Sequence, residues 1–394
     1  MKKLLSLILV FALSFVATIP INAQSQDVLS STEIEELAIK FATTSFSDFA
    51  DPEEYCDEFI DQNAINLINF ISDKREMNTF KQNLLGRELT LISKDIIDCK
   101  LNNTDDSLVQ VLLKIHYTYI DGDIEANLTP NYKIYIDKVK GTVVAAMTND
   151  LSAGSLIPAE MFNNAENLNA EYQLVSENAL SSEAVNINKP YNLKGIENNI
   201  ADFVEEMKNE NVVSIEKEQT LEVSPMSTFV SFSSNDRANM RKYQDKYFNT
   251  FNPNYANFTN DGGDCTNYAS QVLNASSAPQ YISSSSGITG SSYWYYKNSS
   301  NRSSSWTGVN QLRTFLLNNK TKGPSGSISS TFAALDSGDI IQLGSNDDYY
   351  HSIVVYKQGG DPWVTTHTVS YSGYYSSRFS GLSNSKIHIS GYYK

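Results

Sequence analysis

Gly262-Gly263-Asp264-Cys265-Thr266-Asn267-Tyr268-Ala269-Ser270-Gln271-Val272-Leu273 is the stretch on which the fold turns. Two glycines permit a tight loop that residues with a Cβ resist. Asp264 is a residue type that caps helices, and a cap there puts Cys265 in the first helical turn. Tyr268, Ala269, Val272 and Leu273 then recur at the spacing of one buried helical face. A helix N-terminus carries partial positive charge, which lowers a thiol's pKa and favours the thiolate, the true nucleophile. The free N–H groups at that end can also donate to an oxyanion. An ionised Asp264 acts against the thiolate, so a base must come from elsewhere. Taken alone, the segment fits a buried inert thiol equally well.

Downstream, Leu335-Asp336-Ser337-Gly338-Asp339-Ile340-Ile341-Gln342-Leu343 reads as a turn into a strand. His351-Ser352-Ile353-Val354-Val355-Tyr356 follows after a polar loop. His351 opens this apolar strand, a position expected to meet both solvent and a thiol. The next strand is Trp363-Val364-Thr365-Thr366-His367-Thr368, in which Trp363, Thr365 and His367 share a face by period-two alternation. A third polar group orients the base in such triads, and His367 is the first candidate for that part. His388, between Ile387 and Ile389, is a second candidate expected to point away from the core, and Asp361 before Pro362 is a third.

Five motifs in order carry a resemblance. They are Asn252-Pro253-Asn254-Tyr255, the Gly262 to Gln271 stretch, Gly338-Asp339-Ile340-Ile341-Gln342, His351-Ser352 and His367-Thr368. Together they resemble an amidase domain of exported bacterial proteins, similar to papain-like wall hydrolases of the NlpC and CHAP types. Tyr268 stands where family members often have Phe. The resemblance covers residues 236–394 and implies an α+β fold with a helix-borne Cys packed on an antiparallel sheet. It implies Cys265 as nucleophile, His351 as base and His367 as the third group. The implied reaction is amide hydrolysis through a thioester, with no metal or cofactor. The implied substrate is peptidoglycan or a wall peptide. A protease, or a non-catalytic wall-binding or spore-associated protein on the same frame, are the other readings.

Further out, the chain changes character. Of 394 residues, the first 23 read as an export signal: Lys2 and Lys3, an apolar run, then a small residue at Ala23. That apolar run is shorter than the roughly 20 residues a spanning helix needs. A secreted or wall-associated protein with no integral membrane segment is expected. Residues 24–150 read as a smaller acidic α+β domain. Thr32 and Glu35 have capping-box spacing, a helix is expected over 58–84, and strands over 97–101, 108–120 and 132–144, with a turn at Asp121-Gly122. His116 lies mid-strand and is expected to be packed rather than catalytic. Residues 151–235 read as a polar linker or wrap-around segment with one amphipathic helix through Ile196, Ile200, Phe203, Val204 and Met207.

Charge divides the same way. Residues 236–394 hold 13 Lys and Arg, 9 Asp and no Glu, a net of +4. Residues 24–235 hold 15 Lys and Arg against 36 Asp and Glu, a net of −21. Separate modules drawn together by opposite charge are expected, with an anionic polymer as one partner of the basic half. No nucleic-acid motif is present, and a monomer is expected. The basic half has 16 of the 23 Tyr and all three Trp, expected mainly as buried aromatics. Cys56 and Cys99 are candidates for a disulfide, although spacing carries no geometry.

Overall fold

Ser30, two residues before the expected cap, opens the first helix. Its backbone N–H donates to Glu33 Oε2 at 2.8 Å, and Glu33 N–H donates to Ser30 Oγ at 3.4 Å. The computed structural model describes residues 28–44, 59–104, 106–148, 193–209, 227–259 and 261–394. The expected export signal, Cys56 and most of the expected linker lie outside these residues. Cys99 carries a free thiol.

Helix α1 (Ser31–Thr44) buries Ile34, Ala38, Phe41 and Ala42. Helix α2 (Ile65–Leu85) stops at Gly86, whose φ of 64° is the left-handed cap that glycine adopts cheaply. Strands β1 (Leu89–Asn103), β2 (Leu108–Asp121), β3 (Ile124–Thr129), β4 (Asn131–Asp137) and β5 (Thr142–Thr148) follow. The single strand expected over 132–144 is thus two, broken by a turn at 138–141. Helix α3 (Leu193–Asn209) buries Ile200, Phe203 and Val204, as its amphipathic pattern requires.

The remaining elements are β6 (Phe229–Ser231), α4 (Ser234–Tyr247), α5 (Cys265–Asn274), β7 (Tyr296–Asn298), β8 (Asn301–Arg302), α6 (Ser304–Thr307) and α7 (Val309–Asn318). Then come β9 (Gly323–Ser329), β10 (Ile340–Ser345), β11 (Asp348–Lys357), β12 (Trp363–Thr366), β13 (Ser370–Tyr374), α8 (Tyr375–Phe379) and β14 (Asn384–Tyr393). No helix among the described residues is long and apolar enough to cross a membrane.

The expected separation into modules gives way to a continuous sheet. Its order is β5-β4-β2-β3-β13-β12-β11-β10-β14-β6, with β1 also on β2 and β9 also on β14. The junction is an antiparallel pairing of β13 with β3, Ser370 opposite Thr129 and Ser372 opposite Asn127. One apolar core runs across the junction, from Phe41 and Ile134 through Leu128 and Tyr371 to Ile353 and Phe379. A ladder and a shared core join the halves, with fixed ion pairs in support. Arg87 at the end of α2 bonds the carboxylate of Asp361 and the hydroxyl of Ser376. Lys81 Nζ donates to Ser377 O at 2.6 Å. Asp361 therefore fastens the halves together and is not part of a triad.

The opposite face of the second half carries its own core. Tyr268, Ala269, Val272 and Leu273 of α5 pack with Trp294, Trp306, Ile340, Val354 and Ile387. Trp294, Tyr295 and Trp306 are completely buried, as expected of the aromatics in this half. Trp306 Nε1 donates to Asn267 Oδ1 at 3.0 Å and Trp294 Nε1 to Ser270 Oγ at 3.2 Å, so both indoles brace α5.

Candidate active site

The glycine loop does what its sequence requires. Gly262 and Gly263 have φ of 90° and 106°, conformations that a Cβ strains. They turn the chain so that α5 starts at Cys265. Thr368 Oγ1 accepts from Asp264 N–H at 2.9 Å and would meet a Cβ on Gly263 at 3.1 Å. Thr368 itself has φ 79°, a rare conformation for a β-branched residue. An unstrained glycine turn thus meets a strained threonine beside the first turn of α5.

Asp264 does not cap the helix with its side chain. Its φ of −105° and ψ of −1° turn the carboxylate elsewhere. Oδ1 accepts from Phe258 N–H at 2.9 Å and from Asn267 Nδ2 at 2.8 Å. Oδ2 accepts from His367 Nδ1 at 2.7 Å. The other ring nitrogen, Nε2, lies 2.6 Å from the Tyr247 carbonyl at the end of α4. Both ring nitrogens of His367 thus face acceptor oxygens, one of them on the Asp264 carboxylate. The ring also stacks on Tyr268 at 4.1 Å and meets the edge of Phe251 at 5.0 Å. His367 therefore lies along the Asp264–Tyr268 side of α5, on the sheet face that the helix covers.

The thiol of Cys265 is 6% exposed. Its Sγ lies 3.8 Å from Thr266 Oγ1, which bonds Ser352 Oγ at 3.0 Å. Burial raises the thiol pKa above its ordinary value, and the Asp264 charge adds to this. Hydrogen bonds from the Ser352 N–H and from Thr266 act the other way.

His351 is a correction to the sequence expectation. Ser352 and Val354 of β11 face α5, so His351, Ile353 and Val355 face the opposite core. Its cross-strand neighbour Leu343 belongs to that same core. The ring is buried, and Nε2 is 3.0 Å from Thr366 Oγ1. It borders a cavity of about 10 Å³ with Tyr371, Arg378 and Phe379. Burial lowers its pKa to about 3. The expected meeting with solvent and thiol does not occur, because strand alternation sends neighbouring residues to opposite faces.

His388 is also placed differently. Its Nδ1 lies 2.6 Å from Asp339 Oδ2, and Arg237 Nη1 donates to Asp339 Oδ1 at 2.8 Å. The Asp339 carboxylate raises the pKa of His388. The Gly338-Asp339 motif is thus a structural anchor. Thr266, Ser352 and Thr368, to which the sequence reading gave no role, make further polar contacts around Cys265 and Asp264.

Comparison with known proteins agrees with the motif reading of this half. Residues 234–392 match the family model described as "Putative amidase domain". YhbB, an uncharacterized protein of Bacillus subtilis (strain 168), is 34% identical over 137 residues, which is 34% of this chain and 41% of the relative. The chain thus spans less than half the length of this relative. No solved structure matches the chain significantly. Residues 234–392, with Cys265 at the head of their buried helix, therefore match an amidase domain, a description that suggests a hydrolase acting on amides.

Proposed function

We propose that the chain is a secreted cysteine hydrolase with a papain-like catalytic half, cleaving an amide bond in cell-wall peptidoglycan. The observation that carries the reading is a thiol at the first residue of α5, beside an Asp264–His367 pair on the same sheet face. The basic, apolar start of the sequence and the net charge of +4 over residues 236–394 support export and an anionic polymer as substrate.

Cys265 is the nucleophile in this reading. Of the two histidines marked by the family motifs, sheet geometry favours His367 over His351 as the acid–base group. Released from the Tyr247 carbonyl, a neutral ring takes the thiol proton. The thiolate adds to the amide carbonyl, and the oxyanion is received by N–H groups at the start of α5. The imidazolium returns its proton to the leaving amine. Water then splits the thioester, giving a carboxylic acid and restoring the thiol.

Digestion of purified peptidoglycan, read by mass spectrometry, tests this. Wild type should release amine and acid termini, and Cys265→Ala and His367→Ala should release none. His351→Gln should retain activity if its protein is folded. Loss in His351→Gln with retention in His367→Ala would reverse the assignment of the base.

A second reading rests on the burial of Cys265 and the raised thiol pKa: a wall-binding protein on the same frame. It predicts no release of new termini and no iodoacetamide labelling of Cys265 at neutral pH.

A further inference from the structure

Cys265 is nearly closed off from water, so the charge state of its sulfur depends on the donors built around it. Thr266, the next residue of α5, reaches Sγ at 3.8 Å through Oγ1. That same Oγ1 lies 3.0 Å from Ser352 Oγ on β11. Both Thr266 and Ser352 are fully buried, so no solvent competes for either hydroxyl. The Ser352 N–H also bonds the sulfur, as does the Thr266 N–H, one of those that a helix start leaves without an intrahelical acceptor.

A proton count decides how the hydroxyls can be ordered. Each has one proton to give. A thiol donates or accepts weakly, which leaves the chain free to run in either direction. A thiolate only accepts. Thr266 must then give its proton to Sγ, and its oxygen accepts in turn from Ser352. Ser352 to Thr266 to Sγ is the order that serves the charged form, and hydrogen bonds in such a chain polarise one another. Ser352 is fixed from its other side, where its carbonyl accepts from Thr366 Oγ1 at 2.9 Å.

The titratable neighbours do not replace these donors. Among the described residues, Sγ has no hydrogen bond to a titratable side chain. Asp264 disfavours negative charge on the sulfur, and His367 beyond it is bonded to Asp264. Burial keeps Tyr243 of α4 and Tyr268 of α5 as neutral phenols. On β11, His351 borders the opposite core, and α6 carries no titratable residue.

We propose that Thr266 and Ser352 are positioning residues of the candidate site, a two-hydroxyl donor chain that holds negative charge on Cys265 Sγ. Its use in preparing a nucleophile rests on the amide-hydrolase reading; its hold on the thiolate does not. A packing role alone would leave the ionisation of the thiol unmoved.

The rate of iodoacetamide alkylation against pH tests this on the full chain, read by mass spectrometry of the peptide that carries Cys265. Thr266→Val keeps the shape and removes the donor. Its alkylation midpoint should rise by about one pH unit, so that labelling below the midpoint slows about tenfold. Ser352→Ala keeps the N–H and removes only the outer link, so its midpoint should rise by less. Thr266→Ser restores the hydroxyl and should return the midpoint to the wild-type value. An unmoved midpoint in folded Thr266→Val, or a rise that Thr266→Ser shares in full, overturns the proposal. So does a wild-type Cys265 that alkylates at no pH. Where Thr266→Val fails to fold, Ser352→Ala decides, and an unmoved midpoint there is equally fatal. Peptidoglycan digestion with the same samples separates the two readings. Raised midpoints in a chain whose wild type releases no termini keep the donor chain and remove the enzyme. Release by wild type and Thr266→Val alike, with unmoved midpoints, does the opposite.

Discussion

His351 ties stability to pH. Its folded pKa is about 3 because the ring is buried, whereas an unfolded imidazole titrates near 6.5. Between those values the unfolded chain binds more protons than the folded one, so stability rises with pH across that window. The contribution is complete above about 6.5 and is lost as pH falls, with a limit on the order of 5 kcal/mol. His388 acts in the other direction. Its pKa is raised by Asp339, so its contribution is present at low pH and is lost as pH rises through the folded value. Urea midpoints at pH 7, 5.5 and 4 should therefore fall steeply in wild type and less steeply in His351→Leu. Parallel slopes would mean that the ring does not stay neutral in the fold. A second residue-scale expectation concerns Arg237. It donates to Asp339, to Ser337 O at 2.7 Å and to Ile389 O at 2.8 Å. Arg237→Ala leaves a buried carboxylate short of its cation and should cost about 3–5 kcal/mol in denaturant unfolding. A loss below about 1 kcal/mol would show that His388 alone can satisfy Asp339.

At the scale of elements, the loop before α5 is the most exacting part of the chain. Gly263→Ala puts a Cβ at positive φ and 3.1 Å from Thr368 Oγ1, the atom that receives Asp264 N–H. Destabilisation of about 1–3 kcal/mol is expected, with a larger proportional loss of amide hydrolysis. Thermal unfolding and turnover measured on the same sample check this, and an unaltered melting temperature would refute it. This loop was legible in the sequence because glycine punctuation is local. So were α1, α3, α5 and most strands, because apolar periodicity is local too. The facing of His351 was not. Parity along β11 is set by pairing with β10, where Ser352 meets Gln342 and His351 meets Leu343, and one register step would exchange them. Asp264 was read as a cap from its residue type. Its backbone is near-helical, so its carboxylate binds the flanking loop and His367 instead. Both misses are matters of side-chain direction, which spacing alone does not carry.

For the whole molecule, the change in charge near residue 235 suggested two modules held by long-range attraction. The β3–β13 ladder and the shared core replace that picture. Neither has a local signal, since the partners 127–129 and 370–372 lie in distant parts of the chain. A fragment of residues 227–394 should therefore expose the β13 edge together with Ile353, Val364, Tyr371 and Phe379. It is expected to bind a hydrophobic dye, to aggregate and to lose activity, while salt should do little to separate the halves in the full chain. A monomeric, cooperative and fully active fragment would restore the modular view.

Synthesis order gives the shared ladder a kinetic side. Thr129 meets Ser370 only after 241 further residues have been made. At roughly 5–20 residues per second that is a wait of about 12–50 seconds, in which β3 has one edge without its native neighbour. The nascent first half must spend this interval with an open template for strand addition, to itself or to other copies. Late-arriving β13 acts as the closing seam. Mutations that weaken it should reduce soluble yield before they measurably change the finished protein.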